Sequence, residues 1–235
     1  MRALGIIPAR GGSKGVPYKN IRLVGRRPLI AYTIQAAADS RSLAHYLVST
    51  DDGDIAAVAR DYAAPVLMRP PELAADDTPM VPVIQHALRV LEASGEKFDV
   101  VVVLQPTTPL RQSTDIDDSL RLLTNTGADT VISVYQVDDH HPARMYRLLD
   151  GCLQPYDREP PERLRQSLSP VYHRNGAIYT CWTRLLDQNT LIGERVRPYF
   201  MPRARSINID DELDLAFADF LLSRSKEAGS PEVAR

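Results

Sequence analysis

The chain has 235 residues, a formal net charge of −2 and 44% hydrophobic residues, a size and composition that suit one domain with its own core. The near-neutral charge argues against a broad nucleic-acid-binding face, and the apolar runs are shorter than the roughly 20 residues that span a bilayer. Two cysteines, Cys152 and Cys181, form neither a disulfide framework nor a metal cluster. We expect a soluble, cytoplasmic protein without a signal peptide, bound to neither nucleic acid nor membrane.

Short apolar runs alternate with amphipathic segments along most of the chain. The continuous valines of Asp99–Leu104 predict a strand buried on both faces, as in a parallel sheet. In chain order the predicted elements are strand Ala3–Pro8, helix Pro28–Ala38, strand His45–Ser49, helix Asp54–Tyr62, strand Ala64–Met68, helix Met80–Leu91, strand Asp99–Leu104, helix Asp115–Leu123, strand Thr130–Tyr135, strands Gly176–Thr180 and Arg197–Met201, and a last helix from about Asp211. This alternation predicts an α/β fold with a mostly parallel sheet flanked by helices. On the last helix, we predict a buried stripe of Leu213, Ala216, Phe217, Phe220 and Leu221.

Residues 138–174 interrupt this pattern. They contain five prolines, many charged residues and no long periodic run, and the stretch is too long for an ordinary loop. It therefore indicates a functional segment or an interaction arm. We divide the chain into an α/β domain of residues 1–137 and 175–225, an inserted arm of residues 138–174 and a frayed tail of residues 226–235.

The loop after the first predicted strand is rich in glycine and basic residues: Arg10, Gly11, Gly12, Lys14, Gly15 and Lys19. Ligands of open α/β sheets bind beyond the carboxyl ends of the strands, and glycine lets backbone amides approach phosphate oxygens closely. The spacing matches neither the Walker A motif nor G-x-G-x-x-G, which argues against a dinucleotide-dependent dehydrogenase. The loop predicts a site for several phosphates, a triphosphate for example, with a solvated basic turn as the alternative.

The stretch IIPARGGSKGVPYKN, residues 6–20, closely resembles the nucleotide-binding signature A-R-x-x-S-K-G-x-P-x-K-N of the CMP-sialic acid synthetases (acylneuraminate cytidylyltransferases). Further stretches resemble this family in the same order: VSTDD (48–52), RPPELAADDTP (69–79), VVLQPTTPLR (102–111), HHP (140–142), RNGAIY (174–179) and SINIDDELDL (206–215). The resemblance covers about residues 3–222. It implies a Rossmann-like α/β fold with a small arm that is exchanged between the two subunits of a homodimer.

The same resemblance implies a Mg²⁺-dependent cytidylyltransferase. The products would be a CMP-activated acid and pyrophosphate, and the acceptor would be a 2-keto-3-deoxy nonulosonic acid of the sialic, legionaminic or pseudaminic type. The implied CTP contacts are Arg10, Gly11, Gly12, Ser13, Lys14, Lys19, Asn20, Arg69 and Thr78. The implied catalytic groups are Arg10, Lys14, Lys19 and Asp210, whose charges would stabilise the departing pyrophosphate. The implied acceptor contacts are Gln105, Arg165, Asn175 and Tyr179, and Arg165 would serve the partner's site if the arm is exchanged.

Two positions depart from the family pattern. The family's metal motif is roughly I-D-I-D, and here it reads Ile207-Asn208-Ile209-Asp210. Asp210 is the expected magnesium ligand, and Asn208 is a weaker one because Mg²⁺ prefers charged oxygen donors. Where the family has two consecutive aromatic residues at the acceptor pocket, an ungapped comparison gives Ile192 and Gly193, which leaves room for another nonulosonate or a smaller acid.

We expect in-line attack of an acceptor oxygen on the α-phosphorus of CTP, without a covalent enzyme intermediate. One alternative is a CTP:phosphonate cytidylyltransferase on the same scaffold, which would form a CMP-phosphonate. Another, motivated by Asn208, is a non-catalytic nucleotide-binding module. The sequence identifies neither the acceptor nor a general base.

Overall fold

The computed structural model describes residues 1–12, 15–75, 77–157 and 164–227 of the chain. Its strands are β1 (Ala3–Pro8), β2 (Leu23–Val24), β3 (Arg27–Pro28), β4 (His45–Thr50), β5 (Val66–Met68), β6 (Val100–Val103), β7 (Thr130–Gln136), β8 (Tyr146–Leu149), β9 (Cys152–Pro155), β10 (Tyr172–Trp182) and β11 (Val196–Phe200). Its helices are α1 (Leu29–Ala38), α2 (Gly53–Asp61), α3 (Met80–Ala93), α4 (Ser113–Thr126) and α5 (Glu212–Glu227).

Seven strands form one central sheet in the order β11-β7-β10-β6-β1-β4-β5. Six of them run parallel, and β10 lies antiparallel between β6 and β7. All four residues of β6 are buried, as its run of valines predicts for a central strand. The mostly parallel α/β sheet predicted from the sequence is confirmed.

Helices cover both faces of the sheet. Helices α1, α2 and α4 pack on one face through apolar residues such as Ile34, Ile55 and Leu120. Helix α3 covers the other face with Val81, Ile84 and Ala87. Helix α5 packs at the edge of the molecule over the β2–β3 hairpin, where Leu215, Ala218 and Leu222 contact Val16, Val24 and Leu29. The sheet is therefore the middle layer of three, and its carboxyl edge is left open.

The predicted stripe on α5 is wrong. Leu213, Phe217 and Phe220 are exposed, and the buried face consists of Leu215, Ala218 and Leu222. Apolar residues occur on several sides of this helix, so its sequence does not define one face. The helix covers only the small cluster around the β2–β3 hairpin, and only one of those faces has a partner within the chain.

The arm begins with a hairpin, formed by β8 and β9. His141, at its base, is buried; its Nδ1 accepts a hydrogen bond from the Ala143 amide, and its Nε2 donates to the Ser169 carbonyl at 2.9 Å. Strand β10 begins at Tyr172, four residues earlier than predicted, so residues 172–174 extend the sheet. Residues 228–235 of the tail lie outside the described residues. No helix in the described part of the chain is long and apolar enough to cross a membrane.

Candidate active site

A cleft of about 480 Å³ lies at the carboxyl edge of the parallel strands. The loops after β1, β5 and β6 meet there, together with the segment that leads into α5. Its lining consists of Pro8, Arg10, Gly15, Lys19, Asn20, Arg69, Leu73, Ala75, Thr78, Met80, Val83, Gln105, Pro106, Thr107, Asn208 and Asp210. Eight of the predicted site residues, from distant parts of the sequence, are thus brought to one edge, where α/β sheets bind their ligands.

A larger depression of about 670 Å³ lies at the opposite edge, between α3 and residues 183–187. Its basic residues, Arg89, Lys97 and Arg184, are matched there by Glu92, Glu96 and Asp187. It therefore lacks the excess of one charge that a polyphosphate or an acidic sugar requires. The charges of the lining residues therefore favour the smaller cleft as the active site.

The glycine-rich loop leaves β1 at Pro8 and forms one wall of the cleft. The Gly11 amide donates a 3.2 Å hydrogen bond to Asp51 Oδ1, and Asp52 caps helix α2 by accepting from the amides of Asp54 and Ile55. Asn20 is almost fully buried and donates from Nδ2 to the Arg10 carbonyl at 3.0 Å. Asn20 therefore shapes the loop from beneath. Ser13 and Lys14, two of the predicted CTP contacts, lie outside the described residues.

Lys19 connects this loop to the segment before α5. Its Nζ donates to the Ile209 carbonyl at 2.7 Å and lies 3.9 Å from Asp210 Oδ1. Burial lowers the pKa of Lys19, and the charges of Asp210 and Asp214 oppose that effect. A Cβ on Gly15 would lie 2.1 Å from the Asp210 carbonyl oxygen, so only glycine lets the loop approach so closely.

Asp210 and Asn208, the predicted metal ligands, face each other in the cleft. Asn208 Nδ2 donates to Asp210 Oδ2 at 2.6 Å, and the Asp210 side chain is 74% exposed. The Ile209 amide between them donates to the Thr107 carbonyl at 2.9 Å, which fixes the segment beside the end of β6. The described residues contain no cluster of three or more His, Cys, Asp and Glu side chains.

This donor set fits a metal ion that is held mostly by phosphate. Mg²⁺ commonly keeps several waters and binds through one or two carboxylates together with the phosphates of a substrate. Asp210 supplies one exposed carboxylate, and Asn208 supplies an amide oxygen. These two residues are suited to completing the shell of an ion that a nucleotide carries.

Arg69 lines the cleft just after β5. It is 8% exposed, and its guanidinium donates to the Ser49 carbonyl at 2.8 Å and to the Leu73 carbonyl at 3.2 Å. Burial lowers the pKa of Arg69, and the nearby Asp51 charge opposes the shift. Its buried Nε has no hydrogen-bond partner among the described residues. Arg69 thus offers fixed donors beside Leu73, Thr78 and the apolar side chains of Met80 and Val83.

The predicted acceptor residues are divided between the surface and the interior. Gln105 lines the cleft, and its Oε1 lies 2.7 Å from the position of a Cβ on Gly176, whose φ is +76°. Tyr179 lies on β10 opposite Val103 and packs against the core beneath α3. Arg165 lies on the arm in a short 3-10 helix, Arg165–Ser167, and its side chain is outside the described part of the structure.

Asn175 lies beneath the cleft. It is 2% exposed; its Oδ1 accepts from Ser133 Oγ at 2.6 Å and from the Ala177 amide at 3.1 Å, and its Nδ2 donates to Ser206 Oγ at 2.9 Å. These bonds hold the irregular part of β10 between Arg174 and Tyr179. Its polar atoms are therefore engaged with the protein.

Ile192 and Gly193, the ungapped equivalents of the family's aromatic pair, do not lie at the cleft. Gly193 donates to Thr130 Oγ1 at 3.1 Å, and Thr130 is the first residue of β7, so Ile192 and Gly193 lie at the edge opposite the cleft. An aromatic pair does occur at the carboxyl edge, where the rings of Tyr172 and Phe200 lie 5.1 Å apart. Tyr172 was not singled out from the sequence, because residues 138–174 carry no strand signal.

Arg111 organises the turn that carries Gln105. It is buried, and it donates to the carbonyls of Gln105 and Thr108 and to Thr33 Oγ1, the last at 2.8 Å. Burial lowers the pKa of Arg111 to about 9, and Asp115 opposes that effect. These bonds give Arg111 a structural role in the turn.

The cytidylyltransferase family model matches residues 4–180 of the chain. The chain belongs to the cytidylyltransferase family. An N-acylneuraminate cytidylyltransferase from Escherichia coli is 34% identical over 221 residues, which are 92% of this chain and 51% of that protein. A CMP-N,N'-diacetyllegionaminic acid synthase from Legionella pneumophila is 33% identical over 233 residues, 97% of this chain and 99% of that protein.

Solved structures place the chain in the same fold. A CMP:2-keto-3-deoxy-manno-octonic acid synthetase in complex with CTP superposes with a TM-score of 0.72 at 15% identity, covering 96% of this chain and all of that one. The chain spans about half the length of the E. coli cytidylyltransferase and nearly the whole of the Legionella relative. Cytidylyltransferases generally use a divalent metal ion, and the Asp210 region is the place in this cleft that fits one.

Proposed function

We propose that the chain transfers CMP from CTP to a 2-keto-3-deoxy nonulosonic acid and releases pyrophosphate. The observation that carries this proposal is the composition of the cleft at the carboxyl edge. Arg10, Lys19 and Arg69 line it, and Asp210 lies beside Lys19. These fixed donors and positive charges suit the phosphates and the acceptor atoms of the base in a nucleoside triphosphate, and Asp210 suits the cation that accompanies the phosphates.

CTP would lie with its triphosphate on the glycine-rich loop. Its proposed contacts are the Gly12 amide, the cations Arg10 and Lys19, and Ser13 and Lys14. The Gly11 amide is bonded to Asp51, so it would contact a phosphate only if that bond is exchanged. Asn20 would contribute by holding the loop, since its amide is bonded to the Arg10 carbonyl. Positive charge fixed in advance costs no reorganisation when pyrophosphate departs, which is how such groups lower the barrier.

The base would lie against Arg69, with Thr78 beside it. The Arg69 guanidinium is donor-only, and its bonds to Ser49 and Leu73 fix its orientation. Cytosine presents acceptors at O2 and N3, whereas uracil carries a hydrogen on N3. A fixed donor therefore favours CTP over UTP.

We propose Mg²⁺ as the metal ion, with Asp210 as its protein carboxylate and Asn208 as a neutral neighbour. When bound, the ion would act as a Lewis acid toward the phosphates. The protein's own part is positioning. Lys19 and Arg10 fix the triphosphate, while Gln105 and the turn behind it orient the acceptor for in-line attack on the α-phosphorus.

The acceptor would occupy the end of the cleft near Gln105 and β10. Gln105 and Tyr179 are the proposed contacts from this subunit, and Asn175 would act by holding the strand irregularity that carries Gly176. The names of two relatives, an N-acylneuraminate cytidylyltransferase and a CMP-N,N'-diacetyllegionaminic acid synthase, support a nonulosonic acid. Arg165 would bind the acid's carboxylate, from the partner if the arms are exchanged.

We propose that the chain forms a homodimer through the arm. All eight residues of the β8–β9 strands are exposed, including Leu148 and Leu153, at 71% and 67%. An isolated two-stranded hairpin is at best marginally stable in water, so a second chain is the expected cover. We retain the cytoplasm as the compartment, because CTP is made there.

Pyrophosphate release tests the proposed function directly. The purified chain would be incubated with CTP, Mg²⁺ and a panel of sialic, legionaminic and pseudaminic acids and small phosphonates. We expect turnover with at least one nonulosonic acid, dependent on CTP rather than UTP. Turnover with a phosphonate alone would reassign the acceptor, and CTP binding without turnover on any acid would indicate a binding module.

A further inference from the structure

One carboxylate oxygen of Asp210 accepts a hydrogen bond, and the other lies near a cation of the chain. Asn208 Nδ2 donates to Oδ2 at 2.6 Å, and the Lys19 ammonium lies 3.9 Å from Oδ1. The Asp210 amide in turn donates to Asp214 Oδ2 at 2.9 Å, which fixes the residue at the entrance to α5. A cation that binds Asp210 through Oδ2 must therefore displace the Asn208 amide, and one that approaches Oδ1 meets the charge of Lys19.

The charge of the cleft also disfavours a bare cation. Arg10, Lys19 and Arg69 line it, and Asp210 is the one acidic residue among the described lining residues. Like charges in a partly desolvated cleft repel one another more strongly than they do in bulk water. A triphosphate reverses this balance, because it brings negative charge and further oxygen ligands with it.

We propose that the divalent cation enters this site only together with the nucleotide, as one ion per chain, and that Asn208 enforces this order by occupying Asp210. The inference rests on the proposed function, because it concerns the same cleft. Asn208 is then a positioning residue: it keeps Asp210 in place for an ion that the phosphates deliver. An aspartate at 208 would instead set two carboxylates within hydrogen-bonding distance, an arrangement that attracts a cation.

Mn²⁺ binding tests whether the cation needs the nucleotide and whether Asn208 is the reason, and the measurement does not depend on activity. Mn²⁺ takes the same oxygen ligands as Mg²⁺, and its unbound form is counted by electron paramagnetic resonance after equilibrium dialysis. The wild-type chain, the Asn208→Asp variant and an Asn125→Asp control would be titrated with and without CTP, in the absence of an acceptor. Asn125 is exposed on α4, so the control makes the same charge change away from the cleft.

For the wild type and the control, we expect no saturable Mn²⁺ binding without CTP up to about 1 mM. With CTP, we expect one bound ion per chain after the Mn²⁺ bound by free CTP has been subtracted. For Asn208→Asp, we expect binding without CTP at least about tenfold tighter than that of the wild type. Three outcomes would each overturn the inference. The first is tight Mn²⁺ binding by the wild type without nucleotide, and the second is two ions per wild-type chain with CTP. The third is equal nucleotide-free Mn²⁺ binding by Asn208→Asp and the wild type.

The nucleotide-free comparison does not depend on CTP. If the chain failed to bind CTP, the proposed function would fall, and the nucleotide-free binding of wild type and Asn208→Asp would still judge the role of Asn208. If Asn208→Asp failed to fold, the wild-type titrations alone would decide whether the ion needs the nucleotide.

Discussion

At the scale of single residues, Lys19 is the clearest link between the nucleotide loop and the metal segment. Its ammonium contacts the Ile209 carbonyl and approaches Asp210. We predict that Lys19→Ala lowers kcat/KM for CTP by about 10²- to 10³-fold, because a preorganised charge on the triphosphate is lost. Pyrophosphate release and calorimetric CTP titration measure the effect. Arg60→Ala, on the exposed side of α2, is the control, and an unchanged Lys19→Ala variant would contradict the assignment of the loop.

Arg69 tests how the base is selected. Its two carbonyl contacts, Ser49 and Leu73, fix a planar fork of donors, and lysine keeps the charge but cannot reproduce that fork. We predict that Arg69→Lys lowers the preference for CTP over UTP by about tenfold, measured as the ratio of the two kcat/KM values. Loss of activity on both nucleotides with an unchanged ratio would mean that Arg69 supports the fold rather than the choice of base.

At this scale, residues that follow a strand, such as Arg10 and Gln105, could be assigned to the cleft from the sequence, and both line it; their binding roles stay predictions. The sequence was less informative where the contacts of a residue depend on burial. Asn20 and Asn175 have the side chains of ligand-binding residues, but their amides bond to the protein. A one-dimensional pattern does not distinguish these two uses of an asparagine, because both place a polar group beside a turn.

At the scale of elements, the close contact between the glycine-rich loop and the segment before α5 explains why position 15 is glycine. A Cβ there would lie 2.1 Å from a backbone oxygen, whereas a Cβ on Gly12 would meet no atom within 4 Å. We predict that Gly15→Ala destabilises the fold by about 2 kcal/mol and that Gly12→Ala leaves stability unchanged. Urea unfolding of both variants makes the comparison, and equal midpoints would contradict it.

The turn after β6 is held by a buried cation. Arg111 bonds to Gln105, Thr108 and Thr33, and truncating it would leave these acceptors without a donor in a dry environment. We predict that Arg111→Ala destabilises the fold by about 3 kcal/mol. The exposed pair of Arg121 with Asp118 offers a matched control, since Arg121→Ala should change stability little. Unfolding by denaturant reports both, and a silent Arg111→Ala would refute this role.

Element existence was predictable because the core strands and helices carry strong periodicity. The parallel strands and α1 to α4 follow their predicted positions within a few residues. The two short hairpins and the early start of β10 were not predicted, since their exposed residues form no alternation. On α5 the apolar residues lie on several sides of the helix. The buried residues are those on the side that contacts the β2–β3 hairpin, and the sequence of the helix does not identify that side.

At the scale of the whole molecule, the exposed hairpin of the arm predicts a dimer. Leu148 and Leu153 lie directly opposite each other in the β8–β9 register. We predict that the wild-type chain sediments as a dimer and that the Leu148→Glu, Leu153→Glu double variant sediments as a monomer, because buried charges without partners oppose association. Leu23→Glu, at a leucine that is 67% exposed on β2, should remain dimeric. A wild-type monomer at all concentrations would remove both the dimer and a role for Arg165 in trans.

The sheet consists of two groups of strands, and each group comes from one continuous part of the chain. Residues 3–103 supply β1, β4, β5 and β6, and residues 130–200 supply β7, β10 and β11. The excursion between β7 and β10 leaves from and returns to the second group. We predict that substitutions in that excursion change the selection of the acceptor acid more than the binding of CTP, because the glycine-rich loop belongs to the first group.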